Sequence, residues 1–213
     1  MDDRTENNRY TRPLTIVVDG PNYAGKSTLV RKLRDTFARA RHGDGFVHTA
    51  GFPRANSYWG SQARKSIADV KSYPEVSAEL VAQDFAEALQ EAQETSPSDV
   101  LIWDRFYLTT CTYQGFAGWK KLLKHNLFDF DVQPDFYIIC DVEYETAIAR
   151  RNKRWEEEGK PWDAEFEEHS ELRSKEAWDK KRELFLTYAE MCKPYLPNTV
   201  FLLLNEANEL SVL

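Results

Sequence analysis

The stretch from Gly20 to Thr28 carries the residues best suited to phosphate chemistry. It reads GPNYAGKST and fits the pattern G-x-x-x-x-G-K-[ST], with the fixed positions filled by Gly20, Gly25, Lys26 and Ser27. Glycines let a backbone curl until its N–H groups point at an anion, and a helix N-terminus adds partial positive charge. In this pattern the lysine reaches the β- and γ-phosphates and the following hydroxyl holds Mg²⁺. The stretch therefore predicts a loop that binds ATP phosphates with Mg²⁺.

The residues on either side of this loop supply the context that the pattern requires. Residues 14–19, LTIVVD, are apolar and rich in β-branched side chains, which is typical of a buried parallel strand. From Ser27 to about Arg41, apolar residues recur at helical spacing, with basic residues on the other face. The alternative is a chance glycine-rich turn with a helix cap at Ser27. A strand, turn and helix in succession favour the phosphate-binding loop.

An acid and an arginine follow another apolar run. Residues 99–104, DVLIWD, predict a strand ending at Asp104, and Arg105 comes directly after it. A carboxylate in this position can hold a water bound to Mg²⁺, as in Walker-B type sites. The arginine offers a fork of N–H donors to a second phosphate. We therefore expect Ser27 and Asp104 at the metal and Arg105 at an acceptor.

Three arginines, Arg150, Arg151 and Arg154, lie near the end of a helix predicted over residues 144–155. Phosphoryl transfer develops charge on the moving group, and mobile arginines can cover that charge. The alternative is a basic helix end that complements the helix dipole. Because a phosphate loop precedes them in the same chain, we interpret the arginines as groups that cover the charge on the transferring phosphoryl group.

The loop after a strand predicted over residues 46–49 carries Arg54 and no acid. A hydroxyl acceptor usually needs a carboxylate base, whereas a phosphate acceptor is already nucleophilic and needs positive groups to hold it. Arg54 and Arg105 therefore favour a phosphate acceptor, although a solvated loop arginine is the alternative for Arg54. Phe85, on the core-facing side of a helix predicted over residues 74–94, is assigned first to the core and second to a substrate pocket.

Apolar strands alternate with helices along the whole chain, which predicts a doubly wound parallel sheet. The last two strands are predicted at residues 134–141 and 199–204, and a long helix from about Trp162 to Cys192. We expect a three-layer P-loop NTPase fold with a five-stranded parallel sheet in the order 2-3-1-4-5. The length of 213 residues suits a single kinase domain over residues 1–213.

Composition limits the classes of partner. The net charge of −7 argues against broad attraction to nucleic acid or to an anionic membrane. No signal peptide and no apolar run near 18 residues is present. Cys111, Cys140 and Cys192 lack metal-site spacing and predict free, mostly buried thiols in a reducing compartment. We expect a cytoplasmic protein with nucleotide partners and no membrane contact.

The phosphate loop together with residues 104–114, DRFYLTTCTYQ, resembles the thymidylate kinase family of P-loop nucleoside monophosphate kinases. That family has an acid before the first loop glycine and a D-R-[FY]-x-x-S-x-x-[AVC]-[FY]-Q-like signature. It also has Phe-Pro or Glu-Pro after its second strand, here Phe52-Pro53. The phosphate loop is common to many families, so the Asp-Arg-Phe…Tyr-Gln stretch is the specific part. The order of motifs agrees over nearly the whole chain.

The resemblance implies transfer of a phosphoryl group from ATP, with Mg²⁺, to a pyrimidine deoxynucleoside monophosphate, either dTMP or a modified analogue. Dimers are usual in the family. The family also has a helical, arginine-bearing lid, which the resemblance places at about residues 150–162 with Arg150, Arg151 and Arg154. The expected donor-side residues are Gly20, Asn22, Tyr23, Ala24, Gly25, Lys26, Ser27 and Thr28. The expected acceptor-side residues are Phe52, Arg54, Phe85, Arg105, Thr109, Tyr113 and Gln114. The expected catalytic residues are Lys26, Arg105, Arg150, Arg151 and Arg154.

Several departures from the family pattern fall on the acceptor side. The loop acid that engages the acceptor sugar in the family is Asn22 here, and the loop arginine of the eukaryotic branch is Tyr23. The signature serine is Thr109, and the helix around Phe85 lacks the acceptor-binding arginine. These departures leave open a kinase acting on a hydroxyl, in a deoxynucleoside or a modified base in DNA. A P-loop switch protein is a further class, but the N-K-x-D and D-x-x-G patterns of GTPases do not occur.

Overall fold

The computed structural model describes residues 12–40, 44–69, 73–96, 99–115, 133–159 and 171–213. In these ranges the strands are β1 (Leu14–Asp19), β2 (Val47–Gly51), β3 (Val100–Asp104), β4 (Phe136–Cys140), β5 (Val200–Leu204) and β6 (Leu210–Val212). The helices are α1 (Lys26–Ala40), α2 (Tyr58–Ala68), α3 (Pro74–Gln93), α4 (Tyr107–Gln114), α5 (Tyr144–Glu158) and α6 (Lys175–Cys192). Short 3₁₀ helices lie at Asp44–Phe46, Glu171–Arg173 and Lys193–Tyr195.

All described strands belong to one sheet in the order β2-β3-β1-β4-β5-β6. The first five are parallel, and β6 pairs antiparallel with β5. The predicted order 2-3-1-4-5 is confirmed, but the predicted number of strands is one too small. The sequence gives little sign of β6 because its three residues are all exposed and so lack the alternation of a half-buried strand.

Both faces of the sheet are covered by helices, as a three-layer fold requires. Val17 of β1 lies in one core with Phe85 of α3 and Phe185 of α6. Its neighbour Val18 lies in the other core, with Ala38 of α1 among others. This alternation follows from the period of two along a strand. Among the described helices, none combines the length and the apolar character needed to cross a bilayer.

The register of the strands places several predicted site residues at one edge of the sheet. Val18 of β1 pairs with Asp104 of β3, and Asp19 pairs with Ile139 of β4. The carboxyl ends of three adjacent strands are therefore level, and the loops that leave them meet. Open α/β sheets bind their ligands at this edge.

Helix α2 was not predicted. It begins after Ser57, whose hydroxyl accepts the Gly60 N–H at 2.9 Å as a helix N-cap. Its sequence, YWGSQARKSIA, contains a glycine and few large apolar residues, so it lacks a clear stripe. The helix is stabilised by its packing against α3, which the local sequence pattern does not reveal.

Two helix boundaries differ from the prediction. Helix α5 continues through the glutamates to Glu158 and ends at Gly159, which is in the left-handed conformation. Helix α6 begins at Lys175 instead of near Trp162, because Ser174 caps it and residues 171–173 form a 3₁₀ turn. The structure does not describe residues 162–170, where the start of this helix was predicted, or residues 160–162 of the predicted lid.

The prediction that the cysteines are free and buried is confirmed. All three, Cys111, Cys140 and Cys192, are buried and form no disulfide. Burial is the main factor that raises the pKa of each thiol, to about 12 for Cys140. Thiols with such raised pKa values are unreactive near neutral pH.

Candidate active site

The phosphate loop lies between β1 and α1, as predicted. Gly20 has φ 135°, and a Cβ there would lie 2.5 Å from the Cys140 carbonyl oxygen, so the loop can approach β4 only with glycine. Tyr23 also has positive φ, at 61°. Such conformations cluster at ligand-binding turns. Ala24 is buried in the loop.

Lys26 is buried beneath the loop. Its Nζ donates to the Pro21 carbonyl oxygen at 2.6 Å, and 5% of the residue is exposed. Burial lowers the pKa of Lys26 to about 8, Arg105 lowers it further, and Asp104 and Asp19 oppose the shift. The ammonium therefore lacks a full charge partner, and a bound phosphate would supply one.

We predict that ATP affinity falls as pH rises through about 8. Bound phosphates favour the charged lysine, so they raise its pKa and binding takes up a proton wherever free Lys26 has lost one. From pH 7 to pH 9 the dissociation constant, measured by calorimetry, should rise about tenfold. Lys26→Met should bind weakly with no such dependence. Equal wild-type affinity at both pH values would contradict the prediction.

Ser27 and Asp104 meet at the mouth of the loop, as predicted. The Ser27 hydroxyl donates to Asp104 Oδ2 at 2.9 Å. The other carboxylate oxygen, Oδ1, is buried and has no hydrogen-bond partner among the described residues. An unpartnered carboxylate oxygen beside a hydroxyl fits Mg²⁺, which takes few protein oxygens and completes its shell with water and phosphate. The described residues contain no cluster of three or more His, Cys, Asp or Glu side chains that could hold a metal without such help.

Asp19, at the end of β1, organises the site from below. It is fully buried, and its carboxylate accepts the N–H groups of Gly20, Phe106 and Thr109 at 3.0–3.1 Å. The hydroxyls of Tyr137, at 2.8 Å, and Thr109 also donate to it. One side chain therefore joins the phosphate loop to the segment after β3. This role of Asp19 was not predicted beyond its match to the family pattern, because its partners are distant in sequence.

Arg105 lies directly above this junction. Its φ is 73°, unusual for a residue with a side chain, and its N–H donates to the Val18 carbonyl oxygen at 2.8 Å. Its guanidinium donates to Asn22 Oδ1 at 2.5 Å. A strained backbone that directs a cation toward the phosphate loop is typical of a functional position.

A small, partly open cavity lies beside Arg105. It brings together five of the predicted acceptor-side residues, namely Phe52, Phe85, Arg105, Thr109 and Gln114, and is completed by Pro53, Ile67, Val81, Phe106 and Thr110. The rings of Phe52 and Phe85 lie 4.3 Å apart, and both residues are buried. Core and pocket roles for Phe85 are therefore compatible. Apolar walls with one amide and one cation suit a base attached to an anionic group.

Thr109 and Arg54 have contacts that the sequence did not suggest. The Thr109 hydroxyl donates to Asp19, so it supports the segment as well as lining the cavity. The Arg54 guanidinium is bound by three carboxylates of α3, those of Asp84 at 2.8 Å, Glu87 at 2.5 Å and Glu91 at 2.6 Å. Arg54 is also largely buried. This geometry favours a structural role that anchors the Phe52–Pro53 loop to α3, and the predicted acceptor contact of Arg54 stays untested.

The three arginines of α5 have different surroundings. Arg150 donates to the Ala24 carbonyl oxygen at 2.9 Å and thus contacts the phosphate loop, while its predicted catalytic role stays a prediction. Arg151 is buried, donates to Asn152 and lies 5.1 Å from the centre of the Trp155 ring. Arg154 pairs with Glu158 at 2.6 Å. Of the predicted group, Arg150 thus makes a direct hydrogen bond to the phosphate loop.

Tyr113 and an unpredicted acid, Glu171, lie against the phosphate loop. Asn22 N–H donates to Glu171 Oε1 at 2.7 Å, and the Tyr113 hydroxyl donates to Glu171 Oε2 at 2.7 Å. Burial is the main factor that raises the pKa of Tyr113, and Glu171 raises it further. Glu171 was not predicted to be a site residue, because it lies in an acid-rich stretch that was predicted to be helical and no local pattern distinguishes it from its neighbours.

The sequence of this chain is similar to those of thymidylate kinases. The family model described as Thymidylate kinase matches residues 18–194. A thymidylate kinase of Xanthomonas euvesicatoria pv. vesicatoria is 32% identical over 145 residues, covering 66% of this chain and 62% of that protein. A thymidylate kinase of Xanthomonas oryzae pv. oryzae is 31% identical over 145 residues, covering 66% of this chain and 61% of that protein. These matches thus span about three fifths of the length of the curated relatives.

Solved structures support the same fold. The thymidylate kinase of Ehrlichia chaffeensis superposes with a TM-score of 0.59 at 17% identity, covering 92% of this chain and 89% of that one. The thymidylate kinase of Candida albicans gives 0.61 at 16% identity, covering 92% and 85%. Since the family model matches most of the sequence and the loop, Asp104 and Arg105 meet at one sheet edge, the chain belongs to the thymidylate kinase family.

Proposed function

We propose that this chain transfers the γ-phosphoryl group of ATP, with Mg²⁺, to a pyrimidine deoxynucleoside monophosphate, dTMP or a modified analogue, and so forms the diphosphate. One observation carries the proposal. The Ser27–Asp104 pair and the cavity of Arg105 occupy the same sheet edge, and both adjoin the phosphate loop, through Ser27 and through the Arg105–Asn22 contact. A donor site beside an acceptor site is what direct transfer between two nucleotides requires.

On the donor side, the loop N–H groups and Lys26 bind the phosphates, with Lys26 exchanging its contact to the Pro21 carbonyl for a phosphate oxygen. Ser27 and Asp104 would hold Mg²⁺, which neutralises phosphate charge when bound. Arg150, already at the Ala24 carbonyl, is placed to cover charge that develops on the moving group. We retain the lid assignment at about residues 150–162 and the single kinase domain over residues 1–213 as parts of this proposal.

On the acceptor side, Arg105 binds the acceptor phosphate and the base enters the cavity between Phe52 and Gln114. A phosphate oxygen is ionised at neutral pH and attacks without a general base. The chain therefore needs to align the two phosphates and to compensate their repulsion, which are positioning and electrostatic tasks.

A coupled assay of ADP release tests the proposal directly. ATP, Mg²⁺ and each of the deoxynucleoside monophosphates in turn are incubated with the full chain, and Lys26→Ala serves as the inactive reference. Turnover with a pyrimidine monophosphate above turnover with water alone is the expected result. Absence of turnover with every monophosphate would overturn it.

A second candidate, a hydroxyl acceptor, is favoured by the charges around the cavity. Arg54 is matched by three carboxylates, and α3, with the sequence PEVSAELVAQDFAEALQEAQ, carries no basic residue. Among the described residues that line the cavity, Arg105 is the only cation. A doubly charged phosphate monoester would therefore meet fewer free positive groups at this site than the sequence predicted. Transfer of labelled phosphate to a deoxynucleoside or to DNA with a modified base, but not to free monophosphates, would select this candidate.

Arg105→Ala should raise the acceptor KM about 10- to 100-fold, because hydrogen bonds to a charged group contribute about 1.5–3 kcal/mol. Its effect on the KM for ATP should be much smaller. Steady-state kinetics with each substrate varied in turn measures both. Arg34→Ala is the matched control, since Arg34 pairs with Asp35 on the exposed side of α1. A change confined to the KM for ATP would show that the assignment of Arg105 is wrong.

A further inference from the structure

Lys181 of α6 is a half-buried cation that the proposed chemistry does not use. Its Nζ lies 4.4 Å from the centre of the Tyr113 ring, as a cation over an aromatic face. Phe185, one turn further along α6, meets the same ring in a T-shaped arrangement with 6.4 Å between the centroids. Residues four apart share one face of a helix. One face of α6 therefore holds the Tyr113 ring with an ammonium and an aromatic side chain.

Lys181 also contacts the end of α4, the helix that carries Tyr113. Its Nζ donates to the Thr112 carbonyl oxygen at 3.5 Å, a long hydrogen bond. The last turn of α4 contains no basic residue of its own, and a cation near the carbonyl end of a helix is favourable. Burial is the main factor that lowers the pKa of Lys181, and Glu171 opposes this shift. The ammonium is thus partly desolvated, where a cation–π contact contributes more than it does in water.

The Tyr113 hydroxyl connects this contact to the phosphate loop. It accepts from Asn22 Nδ2 at 3.3 Å and donates to Glu171 Oε2 at 2.7 Å. Asn22 Oδ1 in turn accepts from the Arg105 guanidinium at 2.5 Å. Lys181 is thereby connected to Arg105 through two intervening side chains.

This connection bears on how Arg105 receives a phosphate. A guanidinium carries five N–H donors in a rigid fork, and the hydrogen bond to Asn22 uses Nη2, which leaves other N–H groups of the same fork for a phosphate. A cation that is held in one orientation before binding loses less conformational freedom when the phosphate arrives. Any group that fixes the Asn22 amide therefore strengthens acceptor binding at Arg105 without touching the acceptor.

We propose that Lys181 is a positioning residue for the acceptor, which acts on Arg105 through Tyr113. Its cation holds the Tyr113 ring, the ring hydroxyl holds the Asn22 amide, and the amide orients the guanidinium. The inference rests on the proposed function, because it takes Arg105 as the group that binds the acceptor phosphate. It gives α6 a part in acceptor binding although none of the described residues of that helix lines the cavity.

Three variants test this role with the best deoxynucleoside monophosphate from the ADP-release assay. Lys181→Met removes the charge and keeps most of the length of the side chain. It should raise the acceptor KM about 3- to 30-fold, the range of a partly desolvated cation–π contact, while kcat and the KM for ATP change by less than about twofold. Lys181→Arg keeps a cation that stacks on an aromatic ring and should stay within about threefold of wild type. Lys180→Met removes the same charge from the exposed neighbouring position and should leave all three constants unchanged.

A purely structural role gives a different pattern. If Lys181 only packed α6 against α4, Lys181→Met would lower kcat or raise both KM values together, and Lys181→Arg would not restore the acceptor KM. Either result would overturn the proposal, as would a wild-type acceptor KM in Lys181→Met. If Lys181→Met fails to fold, Lys181→Gln, whose amide still has an N–H for the Thr112 carbonyl, is measured with the same outcomes.

The route through Tyr113 is tested by a double-mutant cycle. Tyr113→Phe keeps the ring beside Lys181 and removes the hydroxyl that reaches Asn22. In this background, Lys181→Met should change the acceptor KM by less than about twofold, because the connection to Asn22 is already broken. A full effect of Lys181→Met in this background would mean that the lysine acts by another route, and the proposal would be wrong. Absence of turnover by wild type with every monophosphate would count instead against the proposed function.

Discussion

Replacing Lys26 with alanine should lower kcat by a factor of about 10² or more, because it removes a positive charge where the transition state gains negative charge. The structure adds a reason why this lysine can respond to phosphate. Its Nζ has only the Pro21 carbonyl as a hydrogen-bond partner among the described residues, and burial lowers its pKa to about 8. Steady-state measurement of kcat with saturating ATP and acceptor provides the check.

Two measurements separate this effect from misfolding. Lys32→Ala, at an exposed position of the same helix, should keep wild-type kcat. The pKa of Lys26 is lower in the folded chain than its ordinary value, so burying the protonated amine costs stability below about pH 8, and stability rises with pH between the folded and unfolded pKa values. Lys26→Met should therefore remain folded at pH 7 and lack this rise. A kcat within a factor of about three of wild type would contradict the catalytic assignment.

Replacing Asp19 with asparagine should lower the free energy of unfolding by about 3–5 kcal/mol. The carboxylate accepts from three N–H groups and two hydroxyls in a fully buried position, and an amide would turn one acceptor into a donor that faces other donors. Each hydrogen bond to a charged group contributes about 1.5–3 kcal/mol, and leaving buried donors unpaired adds to the cost. Urea denaturation followed by circular dichroism gives the free energy.

The Asp19 variant should also affect the acceptor site. Asp19 holds the Phe106 and Thr109 N–H groups, so its loss releases the segment that sets the backbone of Arg105. The acceptor KM of the folded fraction should rise more than the KM for ATP. Asp35→Asn, which removes only an exposed pair with Arg34, should change stability by less than about 1 kcal/mol. A similarly small change at Asp19 would show that this network is not required.

The two arginines predicted at the acceptor site, Arg54 and Arg105, have different surroundings in the structure. Both follow apolar strands, and in sequence they look equivalent. In the structure, Arg105 is directed into the cavity while Arg54 is bound by Asp84, Glu87 and Glu91. The two arginines differ because α3 presents its carboxylates to the loop that carries Arg54. That choice is made by packing between segments some 30 residues apart, as for Arg54 and Asp84.

The sequence by itself determined the donor half of the site and the order of the strands. Gly20, Lys26 and Ser27 act through local geometry, since a strand, a tight turn and a helix are adjacent in the chain, and the alternation of apolar strands and helices restricts the topology. Only the tertiary structure decided which distant groups complete the site. Asp19 meets Tyr137 across 118 positions, and Glu171 meets Asn22 across 149. Hydrogen bonds over such separations leave no periodic signal, because they depend on how whole elements pack and not on the spacing of neighbouring residues.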